Sequence, residues 1–245
     1  MKRFKAIAGF TAALVFCLCL TACASGAASS VASTSSASSA DASASSSTSA
    51  SASTSAEKPS KPLEKQSLGP YASGTHHAVI SIKDYGKVRI TIYSDQAPMT
   101  SELFCNMVED GYFDGKPIHT VLDSIYAEFG DSTGVDANNY RVKGEYSDAG
   151  SRNSLSLNSG VLAMGRTADG KQSDGSTIII CIGNLTYLNG KYAGFAAIDE
   201  GMDIIEKINE QASETKGEGA ILTDEKGKIT NPDDYPVIEY IHMID

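Results

Sequence analysis

Residues 24–73 are almost entirely Ser, Ala and Thr, and that one stretch decides how much of the 245-residue chain can fold. It holds almost no side chain that could close an apolar core, so nothing offsets the entropy of ordering it, and it is expected to be disordered. Lys and Pro enter near Glu57, Lys58 and Pro59. A coil of about 50 residues has a mean reach of roughly 40 Å, and far more when stretched. Its physical use is that of a tether, residues 23–73, and its hydroxyl density permits O-glycosylation. The remainder, residues 74–245, has the length of one domain with one sizeable core. It contains no internal repeat.

The segment before the tether, residues 1–22, reads as a signal peptide. Lys2, Arg3 and Lys5 make a basic start, and residues 6–18 form an apolar run too short to span a bilayer comfortably. Leu20-Thr21-Ala22-Cys23 follows and resembles the bacterial lipobox. Cleavage before Cys23 would leave its thiol to carry a diacylglycerol, and two acyl chains make a stable anchor where one is marginal. The other reading is an ordinary secretory signal that happens to hold a Cys. The lipobox reading places the protein at the cell membrane, lipid-anchored on the extracytoplasmic face. Losing the three basic residues takes the formal net charge from −10 to −13. That acidity disfavours nucleic acid and offers anionic lipid no basic patch.

Cys17 and Cys19 leave with the signal, so Cys105 and Cys181 remain. Both sit in apolar surroundings and read as small buried hydrophobes, with a bridge between them as the alternative in an oxidising compartment. No Cys or His spacing suggests a metal site. His76 and His77 have no third ligand in view.

Hydrophobic periodicity gives the elements. Residues 78–83 are apolar and β-rich. Val88, Ile90 and Ile92 alternate with Arg89, Thr91 and Tyr93, as in a half-buried strand, and Asp84-Tyr85-Gly86 between the two reads as a hairpin turn. Pro98 and Thr100 open a helix with Leu103, Phe104, Met107 and Val108 on one face and Gly111 just past its end. Residues 118–122 form another strand, followed by a bend at Asp123-Ser124 and an apolar run Ile125-Tyr126-Ala127. Residues 143–146 are expected as a short strand. A second helix is predicted over 202–211 with Ile204, Ile205 and Ile208 inward, and a last strand over 237–243.

Five pieces of this pattern share an order and spacing. They are Ile118-His119-Thr120-Val121, the run from Ile125 to Asp131, the run from Gly160 to Arg166, the run from Gly175 to Cys181, and the stretch from Tyr187 to Phe195. Together they resemble the cyclophilin family of peptidyl-prolyl isomerases, which reads roughly FHRV, FMIQGGD, GVLSMAN, GSQFFI, then WLDGKH and a Phe-Gly. The resemblance runs over about residues 78–208. It implies a mainly β fold, a closed antiparallel eight-stranded barrel capped by two helices. It implies no cofactor and no metal.

Rotation about a peptidyl-proline bond faces a barrier of about 18–20 kcal/mol, because the nitrogen lone pair is delocalised into the carbonyl. A catalyst needs an apolar hollow for the proline ring and a donor that favours a pyramidal nitrogen. In the resemblance, the Arg thought to donate falls on Thr120, and the Gln that orients it on Glu128. The pocket Phe and Met fall on Ile125 and Tyr126, the Gln of GSQFFI on Thr177 and its second Phe on Ile179. The Trp becomes Tyr187, the Leu is kept as Leu188, the His becomes Tyr192, and the Asn of SMAN becomes Arg166. The apolar character of the hollow survives in part, through Ile125, Tyr126, Ile179 and Leu188. A neutral hydroxyl replaces a charged fork of donors, and charge-assisted bonds are roughly twice as strong as neutral ones. Arg166 and Glu128 are candidates to restore the charge as a pair, against Arg166 as a solvated groove-edge residue and Glu128 as an exposed or water-bound carboxylate. His119 is expected in a structural role.

Two functions follow from the resemblance. One is a tethered extracytoplasmic prolyl isomerase, monomeric, acting weakly on proline-containing peptides or unfolded exported proteins. The other is a peptide-binding module that has kept the groove and lost fast catalysis. A passive spacer or adhesin has only the Ser-rich stretch in its favour.

Overall fold

The computed structural model describes residues 68–245 apart from 138, 214–216 and 218. The signal segment, Cys23 and the tether up to residue 67 lie outside the described residues.

Eleven strands and two helices follow in chain order: β1 (Thr75–Ile82), β2 (Gly86–Tyr93), α1 (Pro98–Glu109), β3 (Ile118–Leu122), β4 (Tyr126–Gly130), β5 (Arg141–Lys143), β6 (Val161–Arg166), β7 (Gln172–Cys181), β8 (Ala193–Glu200), α2 (Met202–Gln211), β9 (Ala212–Ser213), β10 (Ile221–Leu222) and β11 (Ile238–Met243). The β1–β2 turn falls where expected. Asp84 takes φ 64°, and the Tyr85 amide donates to Ile82 O at 3.1 Å. The bend at Ser124, φ 57°, likewise separates β3 from β4.

Helix α1 starts at Pro98, whose missing N–H costs nothing in a first turn. No residue beside it caps that turn. The buried carboxylate of Glu145 does so from across the fold, accepting Met99 N at 3.0 Å and Thr100 N at 2.8 Å. Glu145 is thus drawn into a polar role, and the short strand expected over 143–146 sits earlier, at β5, with the chain already turning by Glu145. Leu103, Phe104, Met107 and Val108 are buried.

The strands pair in the order β11-β1-β2-β8-β6-β7-β4-β3, with β5 beside β7. Every pairing in this sheet is antiparallel. The expected closed barrel is not what forms. The sheet is an open, curled half-barrel whose terminal strands, β3 and β11, share no ladder. They meet around the isolated bridge between Pro117 and Val237, where Ile118 N donates to Pro236 O at 2.7 Å and Ile238 N to Lys116 O at 2.8 Å. A physical reason is that the free edge of β3 is already occupied. Residues 227–229 bond to it, with Val121 N donating to Gly227 O at 2.7 Å and Ile229 N to His119 O at 2.9 Å.

The two faces of the sheet carry two apolar clusters. On β7, Ile178 and Ile180 join the main core with Phe104, Phe113, Phe129 and Phe195, while Ile179 and Cys181 face the other way into a smaller cluster. This is the period-2 alternation of a strand buried on both faces. Ile205 and Ile208 of α2 are buried in the main core, and Ile204 packs against it half-buried. Cys105 lies in the main core and Cys181 in the other cluster; both are free thiols. Burial pushes both thiols up, that of Cys181 to about 12.

Packing begins before residue 74. A short 3-10 turn, Pro70–Ala72, lies on α1. The Tyr71 N–H donates to Glu102 at 2.8 Å, and Ala72 is buried. Among the described residues no helix is long and apolar enough to cross a membrane.

Candidate active site

The smaller cluster gathers the residues singled out from the sequence. Ile125, Tyr126, Ile179, Leu188 and Tyr192 pack together there over buried Val161, Ala163 and Leu185. They come from different elements. Ile125 precedes β4, Tyr126 begins it, Ile179 is mid-β7, Leu188 closes the 3-10 turn Thr186–Leu188, and Tyr192 precedes β8. Thr177 pairs with Gly130 on the same side of the sheet region and is half-buried. Tyr187 projects outward and is 64 % exposed, so it is available to a ligand rather than packed in the floor. Burial, and then the nearby acidic groups of Glu128, Tyr192 and Tyr187, push the Tyr126 hydroxyl up to about 12.

Thr120 and Glu128 face each other across the β3–β4 ladder. Thr120 is buried at 7 % exposure. Burial raises the Glu128 carboxyl above its usual range, and a hydrogen bond from the Thr120 hydroxyl opposes the rise. His119 Nδ1 lies 2.9 Å from the Thr120 hydroxyl oxygen. Burial first, and then the charge of Lys228, hold His119 down to about 4. It is a neutral imidazole, with Nε2 buried and unpartnered. His119 thus touches Thr120, which in turn faces Glu128 on the adjacent strand.

Arg166 does not complete this site. Its guanidinium lies 4.9 Å over the Tyr192 ring, and its Nη1 reaches Lys191 O at 3.5 Å. Among the described residues no Lys or Arg forms an ion pair with Glu128. The pairing of Arg166 with Glu128 weighed on the sequence is absent. The reason is visible locally: an aromatic face and a carbonyl at the end of β6 hold the guanidinium.

Sequence reasoning missed a residue on the other side. Thr120 bridges Lys228 in antiparallel fashion. The hydrogen bonds of that bridge run between its neighbours, Val121 to Gly227 and Ile229 to His119. Thr120 and Lys228 are therefore a non-hydrogen-bonded pair, whose side chains share one face at the closest cross-strand spacing. Ile229 enters the main core, which leaves Lys228 outward beside Thr120. The available signal was the Gly227-Lys228-Ile229 alternation, too short to announce a pairing partner. His76 and His77 both contact Asp245, at 2.5 and 3.3 Å. Among the described residues no group of His, Cys, Asp and Glu is arranged to hold a metal ion.

An open curled antiparallel sheet with two helices and an apolar outer cluster beside a polar rung defines a recognisable class. The profile described as cyclophilin type peptidyl-prolyl cis-trans isomerase/CLD matches residues 77–231. Peptidyl-prolyl cis-trans isomerase-like 1 of Rhizopus delemar is 27% identical over 131 residues, 53% of this chain and 78% of that protein. Peptidyl-prolyl cis-trans isomerase ppi1 of Schizosaccharomyces pombe is 26% identical over 124 residues, 50% of this chain and 79% of that protein. A crystal structure of a Cryptosporidium parvum cyclophilin type peptidyl-prolyl cis-trans isomerase shares the fold, with TM-score 0.56 and 19% identity, covering 70% of this chain and 99% of that one. The chain belongs to the cyclophilin-type peptidyl-prolyl cis-trans isomerase family.

Proposed function

We propose that this chain is a membrane-tethered, extracytoplasmic prolyl isomerase that acts as a monomer on proline-containing segments of exported proteins, at a reduced rate. The observation that carries the reading is one apolar cluster of Ile125, Tyr126, Ile179, Leu188 and Tyr192 on the outer face, with Thr120 and Glu128 on the adjoining strands. Another crystal structure of the Cryptosporidium parvum relative is in the presence of the dipeptide Ala-Pro, which supports a proline-containing ligand here. The reduced rate rests on Thr120 standing where the family pattern has Arg. Losing about 2 to 3 kcal/mol of transition-state stabilisation slows a step by about 30- to 150-fold. The tether and anchor rest on the sequence of residues 1–73, and Cys23→Ala is expected to release the protein from membranes.

A peptide-binding module is the second reading, favoured by the unpaired Glu128. A protease-coupled assay on an Ala-Pro peptide separates the two. The isomerase reading expects measurable turnover by the parent, raised in Thr120→Arg. A parent that binds the peptide without turnover, and gains it in Thr120→Arg, would establish the binding module instead.

A further inference from the structure

We infer that Lys228 supplies the cationic donor of this groove, reaching over Thr120 to the prolyl nitrogen from the segment that closes the β3 edge. The inference rests on the isomerase reading above. Glu128, Thr120 and Lys228 are successive members of one cross-strand row, since Glu128 pairs with Thr120 and Thr120 with Lys228. The row continues through Ile179 and Ala163 into the apolar cluster. Directly opposed residues in antiparallel pairs point to the same face. Lys228 therefore borders the groove that the other four line.

The distances suit the task. A non-hydrogen-bonded pair has its Cα atoms about 4.5 Å apart. A lysine side chain extends about 6 Å from Cα to Nζ. The ammonium can thus stand above the Thr120 hydroxyl, where a longer side chain at position 120 would have placed its own charge. Its field already reaches this spot, because it helps to hold the His119 imidazole neutral. It is also uncommitted. Lys228 is exposed, its backbone N–H is bound by Asp224, and its ammonium makes no ion pair among the described residues.

The same row explains why Thr occupies position 120. Like charges directly opposed across a ladder are destabilising. An Arg there would face Lys228 at the shortest cross-strand spacing. One rung holds one cation, and in this chain the cation has moved one strand outward. Thr120 then leaves room above itself, facing Glu128. As the amide twists, the nitrogen lone pair leaves conjugation and becomes a hydrogen-bond acceptor. A positively charged donor aimed at it favours the twisted state, and no bond is made or broken in the protein.

The test uses the domain's parent chain, Lys228→Met, Lys228→Arg and the double variant Thr120→Arg/Lys228→Met. Turnover of an Ala-Pro peptide is read by protease coupling, and its affinity by NMR titration. Lys228→Met keeps the apolar stem at an exposed position, and circular dichroism checks the fold. The expected result is a loss of about 10- to 100-fold in kcat/KM for Lys228→Met, with peptide affinity unchanged. Lys228→Arg should retain activity, and the double variant should recover it. An active parent matched by an equally active Lys228→Met overturns the inference and leaves the isomerase reading intact. Loss of affinity in step with activity also overturns it, because Lys228 would then be a docking contact. A parent that binds peptide but never turns it over overturns both.

Discussion

Thr120 and Glu128 face each other across the β3–β4 ladder, and no cation forms an ion pair with that carboxylate among the described residues. Burial raises its pKa, so the folded state binds a proton there more tightly than the unfolded chain. The stability linked to that proton is fully present below the ordinary carboxylate range and is lost as pH rises through the raised folded value. Glu128→Gln removes the charge and keeps an acceptor for Thr120. It should stabilise the domain at pH 7 by about 0.5–2 kcal/mol. The gain should vanish at acid pH, as urea unfolding at the two pH values would show. An equal gain at both would mean that charge burial is not its source.

His119 runs in the other direction. Its folded value, about 4, lies below its ordinary 6.5. Below 6.5 the unfolded chain takes up a proton that the folded ring refuses. Stability is therefore complete above 6.5 and is lost as pH falls from 6.5 towards 4, by up to about 3 kcal/mol. The parent should lose more stability over that window than His119→Gln, measured by chemical unfolding. Identical slopes would disprove the assignment.

Arg166 lies over Tyr192 rather than near Glu128. An exposed cation–π contact contributes about 0.5–1 kcal/mol. Arg166→Ala should therefore loosen Tyr192 and change kcat/KM by less than about fivefold. A far larger fall would show that the guanidinium leaves the ring to serve the substrate.

Glu145 caps α1 from a distant part of the chain. Its replacement by Ala strands two amides of the first turn. The expected cost is about 2 kcal/mol, or a fall in Tm of about 4–8 °C for a domain of this size. Glu145→Gln should lose less, because one acceptor survives. Thermal unfolding followed by circular dichroism distinguishes the two.

Much of the fold could be read locally. The alternation of Val88, Ile90 and Ile92 specified β2, and the apolar spacing of 202–211 gave α2 its bounds, because each pattern records one buried face. The family resemblance, rather than any local pattern, singled out Ile125, Tyr126, Ile179, Leu188 and Tyr192, and the fold gathers them into one apolar cluster. Long-range polar pairings left no such trace. Glu145 looked like a strand residue because its partners, Met99 and Thr100, lie far off in the chain. Lys228 was not singled out, because only the folded sheet brings it beside Thr120. The barrel stayed open for a related reason: the residues that occupy the β3 edge are too few to register as a strand.

The chain enters the domain through Tyr71, held by Glu102, with its hydroxyl bonded to Glu109 further along the same helix. A Cβ added at Gly69 would land on the Glu102 carboxylate, so the entry path fits closely. Pulling on the polypeptide ahead of Leu68 therefore loads helix α1 before any strand is stressed. Strand β1, the next in line, is separated from β7 by β2, β8 and β6. A pull from that end would be borne on the α1 side of the domain, several strands away from the rung of Glu128, Thr120 and Lys228.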